Sequence, residues 1–127
     1  MYKSITPNLM TESVEETIRF YTENLGFAEI ASVPDEKTGK LQFVILGKDN
    51  LTIMFQQRES LAGEYPELAA DKVSPGCTIY IKVDDVKKFA GDIGAKVKLI
   101  RDLHKTFYGA NEFAILDNNG YVLTFAD

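Results

Sequence analysis

Short runs of alternating apolar and polar residues dominate this chain, and they come in two matching sets. Phe43-Val44-Ile45-Leu46 is followed, after a polar turn, by Leu51-Thr52-Ile53-Met54-Phe55. Seventy residues on, Phe113-Ala114-Ile115-Leu116 is followed, after a polar turn of the same length, by Tyr121-Val122-Leu123-Thr124-Phe125. Alternation with a period of two marks strands, whose successive side chains point to opposite faces. The upstream segments repeat as well. Thr6-Pro7-Asn8-Leu9-Met10-Thr11 runs into Ser13-Val14-Glu15-Glu16, and Thr78-Ile79-Tyr80-Ile81-Lys82-Val83 runs into Asp85-Val86-Lys87-Lys88. Each copy therefore predicts a strand, a helix and three further strands, the signature of a doubled unit.

Local chemistry supports these elements. Ser13 and Glu16 form a capping box, in which serine oxygen and glutamate satisfy free amide donors at a helix start. Val14, Ile18, Tyr21 and Leu25 give that helix one apolar face, and Gly26 can adopt the left-handed conformation that ends it. In the second copy Asp85 caps a shorter helix with Val86, Phe89 and Ile93 as its stripe, and Gly94 ends it. Asn119-Gly120 predicts a two-residue hairpin turn, with Asp49-Asn50 in the matching place. Between the copies, residues 58–76 read as a connector containing Pro66 and Pro75, with room for a helical turn at 64–70. The expected architecture is α+β, a single domain 1–127 of two βαβββ modules. Module 1 spans about 4–57, the connector about 58–76 and module 2 about 77–127.

Strand phase divides the residues between two faces. Ile79, Ile81 and Val83 belong under the helix, which turns Thr78, Tyr80 and Lys82 the other way; the same phase in the first copy turns Thr6, Asn8 and Met10 outward. Ile53, Phe55, Leu123 and Phe125 read as core, so Thr52, Met54, Gln56, Val122 and Thr124 face away. The recurring pairs Phe43/Ile45 and Phe113/Ile115 go to the core by the same logic, leaving Gln42, Val44, Glu112 and Ala114 on the outer face. Two readings fit that mixed face: a cavity wall with a few convergent polar groups, or an ordinary solvated sheet face.

Composition narrows the function. The 45% apolar and 26% charged content is that of an ordinary globular protein. The single cysteine, Cys77, forms no internal disulfide and reads as a small buried hydrophobe at a strand start. No apolar run is long enough for a signal peptide or a membrane span, so the cytoplasm is the expected location and no membrane partner is expected. A net charge of −5, with no basic cluster, argues against nucleic acid as a partner. The same acidity either favours a cationic or neutral ligand or only serves solubility.

The opening Thr6-Pro7-Asn8-Leu9 with a helix ending Phe20-Tyr21…Leu25-Gly26-Phe27 resembles that of bleomycin-resistance proteins. The stretch Phe107-Tyr108-Gly109…Glu112-Phe113-Ala114…Asp117-Asn118-Asn119-Gly120 is similar to the closing signature of the same glyoxalase/bleomycin-resistance/dioxygenase (vicinal-oxygen-chelate) superfamily. The resemblance covers essentially the whole chain. It implies two βαβββ modules whose curled mixed or antiparallel sheets surround a cavity, and a homodimer. In the superfamily's enzymes four cavity-facing positions carry His, Glu or Gln and hold a divalent metal. Carried over one at a time, these positions are Thr6, Met54, Thr78 and Thr124. None suits zinc, iron, manganese or nickel, which take imidazole, carboxylate or thiolate, so no metal and no cofactor are expected.

The resemblance thus implies a metal-independent protein that sequesters a small aromatic or cationic compound, as the bleomycin-resistance branch does. Asn8, Met10, Gln42, Met54, Tyr80, Lys82, Phe107, Tyr108, Glu112 and Thr124 are the candidate binding residues. No catalytic residue is assigned outright. Glu112 is the principal candidate, as partner to a ligand cation or as a base in metal-independent proton transfer; a salt bridge with Lys82 is the plain alternative. His104 and Tyr108 are weaker candidates, His104 reading equally as a solvated loop histidine. The connector and residues 102–111 both read as possible lids.

Overall fold

A computed structural model of the chain describes residues 1–93, 95 and 97–127. It divides into two compact units, Met1–Val73 and Ser74–Asp127. The first contains β1 (Asn8–Thr11), α1 (Val14–Leu25), β2 (Ala28–Pro34), β3 (Leu41–Lys48), β4 (Leu51–Gln57), α2 (Arg58–Glu64) and a 3-10 turn at Pro66–Leu68. The second contains β5 (Thr78–Lys82), α3 (Val86–Asp92), β6 (Lys98–Lys105), β7 (Asn111–Leu116) and β8 (Val122–Ala126). Each unit has one mixed sheet, ordered β1-β4-β3-β2 in the first and β5-β8-β7-β6 in the second. In both, the first strand runs parallel to the last and the other pairs are antiparallel. This is the doubled βαβββ order. Among the described residues no helix is long and apolar enough to cross a membrane.

The helices form where their caps allow. Ser13 Oγ accepts from the Glu16 N–H at 3.2 Å, and Gly26 closes α1 at φ 72° with its N–H on the Tyr21 carbonyl. The buried face of α1 carries Val14, Thr17, Tyr21 and Leu25. The Tyr21 ring packs on Phe55 with centroids 5.2 Å apart, and Val44 and Leu46 complete this core. In the second unit Asp85 accepts from the Lys88 N–H at 3.0 Å to start α3. Phe113 and Phe125 stack at 5.4 Å, and Phe89 of α3 lies against Phe125 at 4.7 Å. Ile93 is the residue that ends α3, and the expected stop at Gly94 lies outside the described residues.

One strand has the opposite phase from that expected. Val44 and Leu46 are fully buried, whereas Phe43 and Ile45 lie on the other face, opposite Gln56 and Met54. The matching residues of module 2 do follow the expected phase: Phe113 and Ile115 are buried opposite Phe125 and Leu123. The hairpin turns make the difference. Lys48 pairs with Leu51, leaving Asp49 (φ 53°) and Asn50 as a two-residue loop. In module 2 Leu116 pairs with Val122, so residues 117–121 form a longer loop. Asp117 holds that loop, its Oδ1 accepting from the N–H groups of Asn119 at 2.8 Å and Tyr121 at 2.9 Å. Asn119-Gly120 is therefore not a two-residue turn. Leu46 faces Ile53, but its counterpart Leu116 faces Val122 and not Leu123, a slip of one residue. Such a slip turns a whole strand over.

The helical turn expected at 64–70 is present as the 3-10 turn Pro66–Leu68, and a further helix, α2, not expected from the sequence, starts at Arg58 directly after β4. One further expectation is corrected: Cys77 is exposed, just ahead of β5.

The phase of β3 predicts a stability order. Leu46→Ala, in the core, is expected to cost about 2–5 kcal/mol, and Ile45→Ala clearly less. Urea unfolding of the two variants measures it, and the reverse order would refute the observed register.

Candidate functional site

The face of the first sheet turned away from α1 is formed by directly paired residues of four strands. Asn8 lies beside Met54 and Met10 beside Gln56; Phe43 faces Gln56, and Val33 faces Phe43. The opposite wall is α2 and the 3-10 turn. Gln57 starts α2 by accepting from the N–H groups of Glu59 at 2.8 Å and Ser60 at 3.1 Å. Arg58 ties this segment down, its Nε on Glu12 at 2.9 Å and its Nη1 on the Ala70 carbonyl at 2.8 Å. The connector is therefore a held wall.

Between wall and sheet lies a groove of about 610 Å³, within the ordinary range for small-molecule sites. Val33, Phe43, Met54, Leu61, Tyr65 and Leu68 supply its apolar lining, and Glu64 is the only charged side chain among its lining residues. Its polar lining residues are Asn8, Gln42, Gln56 and Ser60. Three of them form a relay: Asn8 Nδ2 donates to Gln56 Oε1 at 2.9 Å, and Gln56 Nε2 donates to Ser60 Oγ at 3.0 Å. Gln56 is buried, and the Oδ1 of Asn8 is buried with no hydrogen-bond partner.

The second unit gathers its polar groups differently. Glu112 on β7 lies directly opposite His104, which the structure places on β6 and not in a loop. Tyr108 donates its hydroxyl to Glu112 Oε2 at 2.9 Å, and His104 Nε2 lies 3.9 Å from Oε1. The other ring nitrogen, Nδ1, is 2.8 Å from the Asp102 carbonyl. Residues 102–105 belong to β6, so the expected lid at 102–111 is a hairpin with its tip at 106–110. That tip is braced by the Thr106 N–H on the Ala110 carbonyl at 2.8 Å.

The sequence-derived candidates thus fall into separate groups. Asn8, Gln42 and Met54 meet in the groove, while Met10 shares its sheet face without lining it. Glu112, Tyr108 and His104 meet in the second unit. Tyr80 and Thr124 are direct neighbours on β5 and β8. Phe107 is fully exposed, its ring edge-on to Tyr108 at 5.0 Å. Lys82 makes no bridge to Glu112; its ammonium donates to the Asp127 carbonyl at 3.0 Å. Thr6 precedes β1 and Thr78 opens β5, exposed. Among the described residues no three His, Cys, Asp or Glu side chains gather where a cation could sit. Sequence reasoning missed Val33, Phe43, Ser60, Leu61, Glu64, Tyr65 and Leu68 as lining residues. The spacing Leu61, Tyr65, Leu68 is the helix-like signal that could have found the far wall.

Accepting the Tyr108 proton in a hydrogen bond, Glu112 raises the phenol above its ordinary value of 10.0, with partial burial and the carboxylate's charge adding to the effect. A raised phenol holds its proton more tightly in the folded chain. The contact is therefore complete below the ordinary value and is lost as pH rises through the raised one. Glu112→Gln is expected to bring the Tyr108 titration down towards the ordinary value, read from ring resonances by NMR. An unchanged midpoint would show that the bond is absent in solution.

Comparison with known proteins places these geometries. The sequence profile of the Glyoxalase/Bleomycin resistance protein/Dioxygenase superfamily matches residues 4–125. A glyoxalase-related enzyme from Fulvimarina pelagi superposes with a TM-score of 0.79 at 16% identity, over 99% of this chain and 88% of that one. TioX from Micromonospora sp. ML1 gives 0.75 at 14% identity, with 98% of each chain covered. A glyoxalase/bleomycin resistance protein/dioxygenase family enzyme from Burkholderia phytofirmans PsJN gives 0.74 at 22% identity, over 95% of this chain and 94% of that one. These likenesses are of fold. With a family match over nearly its full length, the chain belongs to the glyoxalase/bleomycin resistance protein/dioxygenase superfamily.

Proposed function

We propose that this protein reversibly binds a small organic molecule, unchanged and without a metal, with the groove of the first module as the seat of binding. The observation that carries the reading is the groove itself: apolar walls, a neutral amide relay and a single charged lining residue. The superfamily's metal-dependent members need imidazole or carboxylate ligands at positions that here are Thr6, Met54, Thr78 and Thr124. A hydroxyl or thioether is a poor donor for such cations, so this donor set does not fit the metal. The protein is proposed to act as a cytoplasmic homodimer, the commonest closed assembly.

A second reading rests on the cluster in module 2. There Glu112 would move a proton without a metal, with the Tyr108 hydroxyl hydrogen-bonded to it and His104 3.9 Å away. What favours it is that the β6–β7 hairpin brings two side chains, Tyr108 and His104, to the Glu112 carboxylate.

Native mass spectrometry of protein purified from its own host, with elemental analysis, separates the readings. The expected result is an organic adduct, no stoichiometric transition metal, and release of the adduct at unchanged mass. A stoichiometric transition metal would overturn the metal-free reading. Turnover of the released compound that survives chelators and disappears in Glu112→Gln would replace the first reading with the second.

A further inference from the structure

We infer that the groove of module 1 selects an uncharged, flat apolar compound that presents one hydrogen-bond donor, an amide N–H or a hydroxyl, to Oδ1 of Asn8. The inference rests on the binding reading proposed above and adds to it the chemistry of the ligand.

The groove's lining residues include no lysine, arginine or histidine, so an anionic group entering it would lose its hydration with no counter-charge to receive it. Its one carboxylate belongs to Glu64, an exposed residue at the end of α2, so a cationic group there would keep its partner in solvent. Phe43 and Tyr65 among the lining residues suit a flat apolar body. The polar requirement comes from the relay. Ser60 holds one end of the Gln56 amide, and Asn8 donates to the other at 2.9 Å. That bond directs the Asn8 amide so that its carbonyl oxygen is left over, buried and unpartnered. A buried acceptor in this state is satisfied by a donor brought in from outside. Displacing water from the apolar walls then gives general affinity, and this one contact gives selection.

Four probes of one ring system test it by NMR titration of the isotope-labelled full chain: 2-naphthol, 2-methoxynaphthalene, 2-naphthoate and 2-naphthylmethylammonium. The expected result is that 2-naphthol shifts the side-chain amide signals of Asn8 and Gln56. The methyl ether, which lacks the donor, should bind about tenfold more weakly, as loss of one hydrogen bond implies. Both charged probes should bind more weakly than the naphthol. In Asn8→Leu the preference for naphthol over its ether should vanish; if that variant does not fold, the ratio on the unaltered chain still decides. Equal binding of naphthol and ether would overturn the assigned contact. Tighter binding of either charged probe in the groove would overturn the ligand class while leaving the binding reading intact. A groove silent to all four probes would also overturn this inference, and the binding reading would still stand or fall on the adduct mass.

Discussion

Everything in this molecule depends on the parallel pairing of each module's first strand with its last. β1 lies beside β4 and β5 beside β8, although a helix and two strands intervene in the chain. Parallel neighbours cannot be joined by a tight turn, so the chain has to cross one face of the sheet between them. In the first module that crossing is α1, and its stripe of Val14, Tyr21 and Leu25 claims the face carrying Val44, Leu46 and Phe55. The other face is thereby released from the demands of the core. Amides can sit there at Asn8 and Gln56 without weakening the packing behind them, because alternation puts Leu9 and Phe55 on the opposite side. The open face is a by-product of the topology, and α2 with the 3-10 turn makes it a groove.

The sequence announced this frame well where the signals are local or repeated. Ser13 and Gly26 bracket α1 as their chemistry requires, and the doubled strand pattern predicts the element order. The phase of β3 is illegible in the strand itself because it is set by the turn that follows it. Phe43 and Phe113 sit in nearly identical strings, yet the loop at 117–121 is held by Asp117 while Asp49-Asn50 closes directly. Repetition of letters is not repetition of register. The helix α2 escaped notice because glutamine is an unusual cap and Pro66 reads as a breaker. His104 looked like a loop residue because β6 is an edge strand exposed along most of its length, with no alternation to betray it. Of the candidate site, the residues on β1 and β4 were legible from alternation alone. The far wall was not, since only tertiary packing brings Ser60 and Tyr65 over the sheet.

The two modules share a fold but leave their polar groups in different states. In module 2 the carboxylate of Glu112 is already engaged by the Tyr108 hydroxyl at 2.9 Å, with His104 Nε2 3.9 Å away. A ligand reaching for that carboxylate has to displace a charge-assisted hydrogen bond first. In module 1 the relay from Ser60 through Gln56 ends at an acceptor that no protein group partners. Leaving a buried carbonyl unpaired costs the folded chain about 1–3 kcal/mol, and a leucine of nearly the same size would avoid that cost. A ligand donor recovers it on binding, because the Oδ1 of Asn8 is already out of water before the ligand arrives. Binding at the groove then gains a hydrogen bond whose protein half is prepaid, whereas binding at Glu112 exchanges one bond for another. That asymmetry, arising from two copies of one fold, is the physical reason for proposing the first module as the seat of binding and for reading the second as a hydrogen-bonded cluster around Glu112.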